Sequence, residues 1–315
     1  MNSPQFIGID LGGTKCAVSV PEGLSGVKEV ARFSTSEPAS TIKRIFQEID
    51  RLAPRTDTAF GVSCGGPLDA RRGIILSPPN LPGWDHVPIC DELVRRYGGR
   101  AWLMNDANAS ALAEWQSGAG RGSRNMVFLT MGTGMGAGLI LDGRLYEGTN
   151  GNAGEVGHIR LAPAGPLGFG KEGSFEGFCS GGGIARLARI RISEHKGHST
   201  LAALAPEEIS ARDVAMAAAV GDELALAIWS EVGSRLGEAL SVLVDVLNPE
   251  RIVIGSIFAR CERFIAPSMQ ESLVRESLDG NLSVCLVVPG LLGEQIGSHA
   301  AIAVARYHST SPNFP

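Results

Sequence analysis

No two of the six cysteines in this 315-residue sequence form a C-x-x-C pair. Cys16, Cys64, Cys90, Cys179, Cys261 and Cys285 are scattered along the chain. That speaks against a disulfide framework and reads as reduced thiols packed as small hydrophobes. No run reaches the ~18 consecutive apolar residues of a membrane helix, and no basic segment precedes the short apolar run near the N-terminus. Neither export nor a membrane is expected, and a cytoplasmic location is. Positive charge is in short supply: 28 Lys and Arg against 33 Asp and Glu leave a net charge of −5, which argues against nucleic acid as a partner held by bulk electrostatics. The G-x-x-x-x-G-K-[ST] spacing of a Walker A loop is also missing. What the chain has in excess is glycine, 41 residues or about 13% against a usual share of roughly 7%. The excess clusters at residues 118–154 and 165–183, without a repeat, and so marks binding loops.

The passage Phe6-Ile7-Gly8-Ile9-Asp10-Leu11-Gly12-Gly13-Thr14-Lys15 carries an apolar strand into a carboxylate, two glycines, a hydroxyl and an ammonium. Gly12 and Gly13 permit a tight reversal, and bare backbone N–H groups beside Thr14 and Lys15 suit polyanionic oxygens. Asp10 can reach a divalent cation, directly or through water. An ordinary Gly-Gly hairpin explains this passage equally well when it stands alone. A second cluster changes the balance. Met126–Met131 is an apolar strand followed by Gly132-Thr133-Gly134-Met135-Gly136-Ala137-Gly138. Residues 132–137 satisfy the loose dinucleotide fingerprint G-x-G-x-x-A, which requires a helix next. The chain instead continues Leu139-Ile140-Leu141-Asp142-Gly143, a second strand and a hairpin signal. Two strand–turn–strand units of this kind suggest two lobes closing on one polyphosphate.

Strand and helix patterns alternate along the chain, as in an α/β protein with mixed sheets. Helices are expected over 41–52, 89–97, about 106–117, 183–192, 210–220 and 222–247, the last stopped by Asn248-Pro249. Strands are expected at 58–63, 101–104, 251–255 and 282–288, and a small-residue helix at 296–305. The length suits two domains, with a boundary near Gly118–Ser123.

Three further places carry candidate chemistry. Asp106 stands where an apolar strand gives way to a helix. It can act as a simple N-cap, but Asn105 and Asn108 can fill that role. A carboxylate held ionised by the helix N-terminus suits a residue that orients and deprotonates a hydroxyl. In Gly154-Glu155-Val156-Gly157-His158, Glu155 and His158 are spaced to approach one polar ligand; a buried, satisfied histidine is the alternative. Glu176 is an isolated carboxylate between apolar side chains in a glycine-rich loop, where unpaired burial is costly and a sugar hydroxyl is a reasonable partner.

Taken together, these motifs resemble the ROK family of sugar kinases and repressors along the whole chain. Asp10–Lys15 is similar to its first phosphate motif and Gly132–Gly138 to its second. Asn105-Asp106 resembles its sugar-contacting pair, Gly154–His158 its E-x-G-H core, and Glu176 the glutamate of C-x-E-x-x-x-S-G. The resemblance implies the actin-like, ribonuclease-H-related α/β fold: two lobes with mixed sheets and a cleft between them. Residues 1–117, completed by a C-terminal helix at 296–315, would form the smaller domain and 118–295 the larger. It implies an ATP- and Mg²⁺-dependent hexose kinase, glucose being the best single guess, and a homodimer. Asp106 would be the base. Gly65, Gly66, Asn80, Asn105, Glu155, His158 and Glu176 would bind sugar. Asp10, Gly12, Gly13, Thr14, Lys15, Gly132, Thr133, Gly134 and Gly255 would bind ATP, with Asp10 also serving Mg²⁺.

The departures from the family pattern matter as well. The family usually carries a zinc-binding C-x-C-G-x-x-G-C, whereas this chain reads Leu167-Gly168-Phe169-Gly170-Lys171-Glu172-Gly173-Ser174. With no thiolate at 167, 169 or 174 no closed zinc site is expected, and Leu167 and Phe169 are expected to pack the loop apolarly instead. Ile254-Gly255-Ser256-Ile257-Phe258 stands where the family commonly has consecutive glycines, which keeps polyphosphate open as a donor. Mannose, N-acetylmannosamine, N-acetylglucosamine, allose and fructose remain alternative acceptors. A sugar-responsive repressor and a non-catalytic sugar sensor are the competing classes. Only five residues precede Phe6, so a DNA-binding helix-turn-helix is not expected.

Overall fold

A computed structural model describes residues 5–23 and 25–310. Along the chain run β1 (Phe6–Leu11), β2 (Lys15–Glu22), β3 (Gly26–Ser34), α1 (Pro38–Asp50), β4 (Ala59–Cys64), β5 (Leu68–Asp69) and β6 (Ile74–Ile75). Then come α2 (Ile89–Tyr97), β7 (Arg100–Asn105), α3 (Asp106–Ser117), β8 (Met126–Met131), β9 (Met135–Leu141), β10 (Arg144–Tyr146), β11 (Leu167–Gly168) and β12 (Lys171–Glu172). The rest is α4 (Phe175–Cys179), α5 (Gly181–Glu194), α6 (Ala211–Ala219), α7 (Glu223–Leu247), β13 (Arg251–Ile254), α8 (Ile257–Glu276), α9 (Asp279–Leu282), β14 (Leu286–Pro289) and α10 (Ile296–Thr310). Residues 1–4, and 311–315 of the expected C-terminal helix, lie outside the described residues.

Two compact units result: Met1–Gly122 with Leu145–Gly151 and Leu292–Pro315, and Ser123–Arg144 with Asn152–Leu291. The first unit holds a sheet in the order β3-β2-β1-β4-β7. In it β1, β4 and β7 are parallel, while β2 pairs antiparallel with both β1 and β3. The second sheet repeats the plan as β10-β9-β8-β13-β14, with β8, β13 and β14 parallel and β9 antiparallel to β8. Strands β1 and β4 of the first sheet and β8 and β13 of the second are mostly buried, and each unit has its own core. Two glycines explain how α10 reaches the first sheet. Gly8 and Gly61 are register partners on β1 and β4. A Cβ at Gly8 would lie 2.9 Å from the Ala301 Cβ, and one at Gly61 2.1 Å from the Ala301 carbonyl oxygen. Bare backbone on the sheet and Ala300, Ala301, Ala303 and Ala305 on the helix let the two meet closely.

The chain after Gly132 forms a strand, as expected, so the dinucleotide fingerprint is spurious. Asp142 and Gly143 both have positive φ, 53° and 74°, and turn β9 into β10. Two expectations need correction. The strand expected over 282–288 begins only at Leu286, because Asp279–Leu282 closes a helical turn first. The 20-residue α8 was not foreseen, since Pro267 interrupts its pattern. All six cysteines are free and buried. Among the described residues no helix is long and apolar enough to cross a membrane.

Candidate active site

In the first unit the glycine turn follows β1. Gly12 N–H donates to the Lys15 carbonyl at 3.0 Å, so it is not the bare donor expected; the hairpin uses it. Thr35 fastens the turn from the side, its Oγ1 donating to the Gly12 carbonyl at 2.7 Å and its N–H to the Thr14 carbonyl at 3.1 Å. Thr14 and Lys15 stay exposed. A Cβ on Gly13 would lie 2.3 Å from the Asn80 carbonyl oxygen. The turn thus rests directly on the backbone of Asn80, and only glycine permits that approach.

Asp10 ends β1 just before this turn. Burial raises its pKa to about 6, the Asp106 charge adds to the rise, and Arg32 opposes it. A Cβ at Gly297, in the first turn of α10, would sit 2.0 Å from Asp10 Oδ2, so glycine there cradles the carboxylate. Such a carboxylate, with a second one acting on it, suits a cation. Among the described residues no cluster of three or more His, Cys, Asp or Glu could hold a metal.

Asp106 is the first residue of α3, at the C-terminal end of β7, where ligands gather in parallel sheets. Asn105 is the N-cap, its side chain accepting from Ala107 N–H at 3.0 Å. Asp106 Oδ1 accepts from the same N–H at 2.9 Å. The side chain has exposed surface yet is set deep among protein atoms. Burial therefore raises its pKa, against the lowering by the Ala107 and Asp106 N–H groups. The N–H groups at the helix N-terminus favour the ionised carboxylate, as expected, but desolvation outweighs them in direction. Gly65 faces Asp106, a Cβ there lying 3.9 Å from Oδ2, and Gly66 faces Asn105 at 3.6 Å from Nδ2. The first unit thus gathers Asp10, Gly12, Gly13, Asn80, Gly65, Gly66, Asn105 and Asp106.

In the second unit Gly132 N–H donates to the Gly134 carbonyl at 3.1 Å, and Gly181 N–H, at the start of α5, to the Gly132 carbonyl at 2.7 Å. Gly255 follows β13 and donates to the Leu129 carbonyl at 2.9 Å. A Cβ on Gly132 would be 3.6 Å from Ser256 Oγ, so Ser256 borders the turn. Sequence reading noted Ser256 only as a departure, and its backbone, φ 58° and ψ −114°, is one that favours glycine.

Glu155 precedes a short 3-10 turn, Val156–His158, in which Val156 and Gly157 are buried while Glu155 and His158 are exposed. Side chains three apart eclipse one another in such a turn, so the two can address one ligand. The buried-histidine alternative fails. Glu176 is not in a loop: it lies in α4, whose N-cap Ser174 accepts from Gly177 N–H at 3.1 Å. Nor does it lack a protein partner, for its Oε2 accepts from Met135 N–H, on the β8–β9 hairpin, at 3.1 Å. The apolar packing expected of Leu167 and Phe169 is also contradicted. They are 45% and 74% exposed, and backbone pairing between β11 and β12 closes the loop instead.

This is an α/β architecture with duplicated sheets, and known proteins narrow the class. Residues 6–307 match the ROK family. A glucokinase from Thermotoga maritima is 34% identical over 310 residues, 96% of this chain and 97% of that protein. A ROK family glucokinase from Streptomyces griseus, solved with glucose and AMPPNP, superposes with a TM-score of 0.77 at 27% identity, covering 96% of this chain and 99% of that one. A ROK family transcriptional regulator, a homologue of an E. coli repressor, superposes with a TM-score of 0.83 at 27% identity, covering 96% of this chain and 78% of the regulator. The chain belongs to the ROK family and has its actin-like fold.

Proposed function

We propose that this protein is an ATP-dependent hexose kinase, with glucose as its acceptor. The observation that carries the reading is the grouping, in one unit, of a glycine phosphate turn, Asp10 and an accessible Asp106. The glucokinases among its relatives support the same reaction class and the choice of sugar.

Asp106 accepts the proton of the attacking hydroxyl through Oδ2, while Oδ1 stays tied to Ala107 N–H. A raised carboxyl pKa brings the base nearer to working pH. The hydroxyl oxygen then bonds to the γ-phosphorus as the bond to the bridging oxygen breaks, releasing ADP. Phosphoryl transfer has a loose transition state, so positioning and charge compensation outweigh base strength. The Gly12–Lys15 and Gly132–Gly134 turns with Gly255 would hold the nucleotide, and Asp10 would serve Mg²⁺, which neutralises charge on the transferred group. Gly65, Gly66, Asn80, Asn105, Glu155, His158 and Glu176 would position the sugar. A magnesium-dependent homodimer working in the cytoplasm completes the proposal.

A coupled ADP-release assay over a hexose and N-acetylhexosamine panel tests it. Magnesium-dependent turnover that is fastest with glucose is expected. Tight sugar binding without ADP release would favour a sensor, the second reading that the regulator's likeness brings.

A further inference from the structure

We infer that Lys171 is a positioning residue for the acceptor side of the site, latching the Glu155–His158 turn to the helix that carries Glu176. The inference rests on the sugar-binding roles proposed above. A three-residue 3-10 turn leaves its final carbonyls without intrahelical partners. Lys171 Nζ donates to the His158 carbonyl at 2.6 Å. The same residue's own carbonyl accepts from Ser174 Oγ at 3.1 Å, and Ser174 is the N-cap of α4. One residue therefore joins both segments through two hydrogen bonds, and the ammonium makes the first of them charge-assisted.

The surroundings repeat the device. Arg160 Nη1 donates to the Glu172 carbonyl at 2.7 Å, and Arg186 Nη1 to the Leu167 carbonyl at 2.8 Å. Two further cationic side chains thus hold carbonyls of the loop that carries Lys171, at the stretch where Leu167, Phe169 and Ser174 supply no thiolate. The β11–β12 turn aims Lys171. Phe169 and Gly170 have φ 43° and 76°, the pattern of a two-residue hairpin turn. This brings the Phe169 ring edge-on to His158, with centroids 5.3 Å apart. His158 is thereby fixed at its carbonyl by Lys171 and at its ring by Phe169.

Because His158 is exposed, water can replace the ammonium on its carbonyl when Lys171 is removed, so the fold should survive while the turn loosens. In Lys171→Met we expect KM for the sugar to rise about tenfold, the scale of one charge-assisted hydrogen bond. kcat and KM for ATP should stay within about twofold of wild type, and Lys171→Arg should recover part of the loss. Calorimetric sugar binding reads the same latch without turnover. A wild-type protein that binds sugar but releases no ADP would sink the kinase reading alone. An unchanged sugar Kd in Lys171→Met, or an equal loss for sugar and ATP, would overturn the latch.

Discussion

Ser256 adopts a conformation that costs a non-glycine residue about 1–3 kcal/mol, at the point where β13 hands over to α8. Ser256→Gly should therefore stabilise the protein by about 1 kcal/mol and raise the thermal midpoint by about 1–2 °C. Differential scanning calorimetry checks this, and an unchanged or lower midpoint would mean that the strain is not there. At this scale much of the candidate site was legible. The placement of Asn105-Asp106 was readable because an apolar strand ending in two polar side chains before a helix pattern marks the strand-to-helix junction, although an N-cap alone would look the same in sequence. The partner of Glu176 was not readable, since Met135 N–H is 41 positions away and only the folded hairpin brings it near. Nor was the direction of the Asp106 shift, because desolvation depends on the atoms that surround a carboxylate and not on its neighbours in sequence.

Elements with a clear period were found near their true bounds, and those held by tertiary contact were missed. The unforeseen α8 is the clearest instance: Pro267 removes a backbone donor from its middle, and the helix persists by packing against α7. A Cβ at Gly233 would lie 2.4 Å from the Ile265 carbonyl oxygen, and one at Gly237 2.3 Å from that of Met269. Two glycines one turn apart allow the backbones to touch. Gly237→Ala should destabilise the protein by roughly 2 kcal/mol through overpacking, despite alanine's better helix propensity. Denaturant unfolding decides this; a more stable variant would contradict the close contact.

Helix α10 makes a pH-dependent contribution. His308 stacks on Trp102 with centroids 5.4 Å apart, and burial lowers its pKa from 6.5 to about 4. Between those values the unfolded chain binds the proton more readily, so this stability is fully present above pH 6.5 and is lost as pH falls through about 4. In His308→Phe, which keeps a ring on Trp102, that loss should shrink by roughly 2 kcal/mol. Parallel unfolding curves for the two proteins between pH 7 and 4 would contradict the assignment.

The whole molecule is built from one plan used twice. In both sheets an antiparallel hairpin is joined to two parallel strands, and a glycine turn closes the hairpin at Gly12-Gly13 and again at Gly132–Gly134. The duplication was only partly legible. The two turns share glycine because both need tight reversals, while the flanking strands share only hydrophobicity, which any buried strand shows. The units differ where chemistry is placed. After β7 comes Asp106 at a helix N-terminus, whereas the matching strand β14 ends in Pro289, with no acid beside it. The proposed base therefore belongs to one unit only, and the proposed function stands or falls on it.

Steady-state kinetics of Asp106→Asn with glucose and ATP, with calorimetric glucose binding on the same sample, tests this most directly. The account predicts a fall in kcat of about 10³-fold with glucose affinity kept within about threefold. It also predicts a wild-type acid limb whose apparent pKa lies above the ordinary carboxylate value, as burial of Asp106 requires. A variant that turns over at near wild-type rate would contradict it.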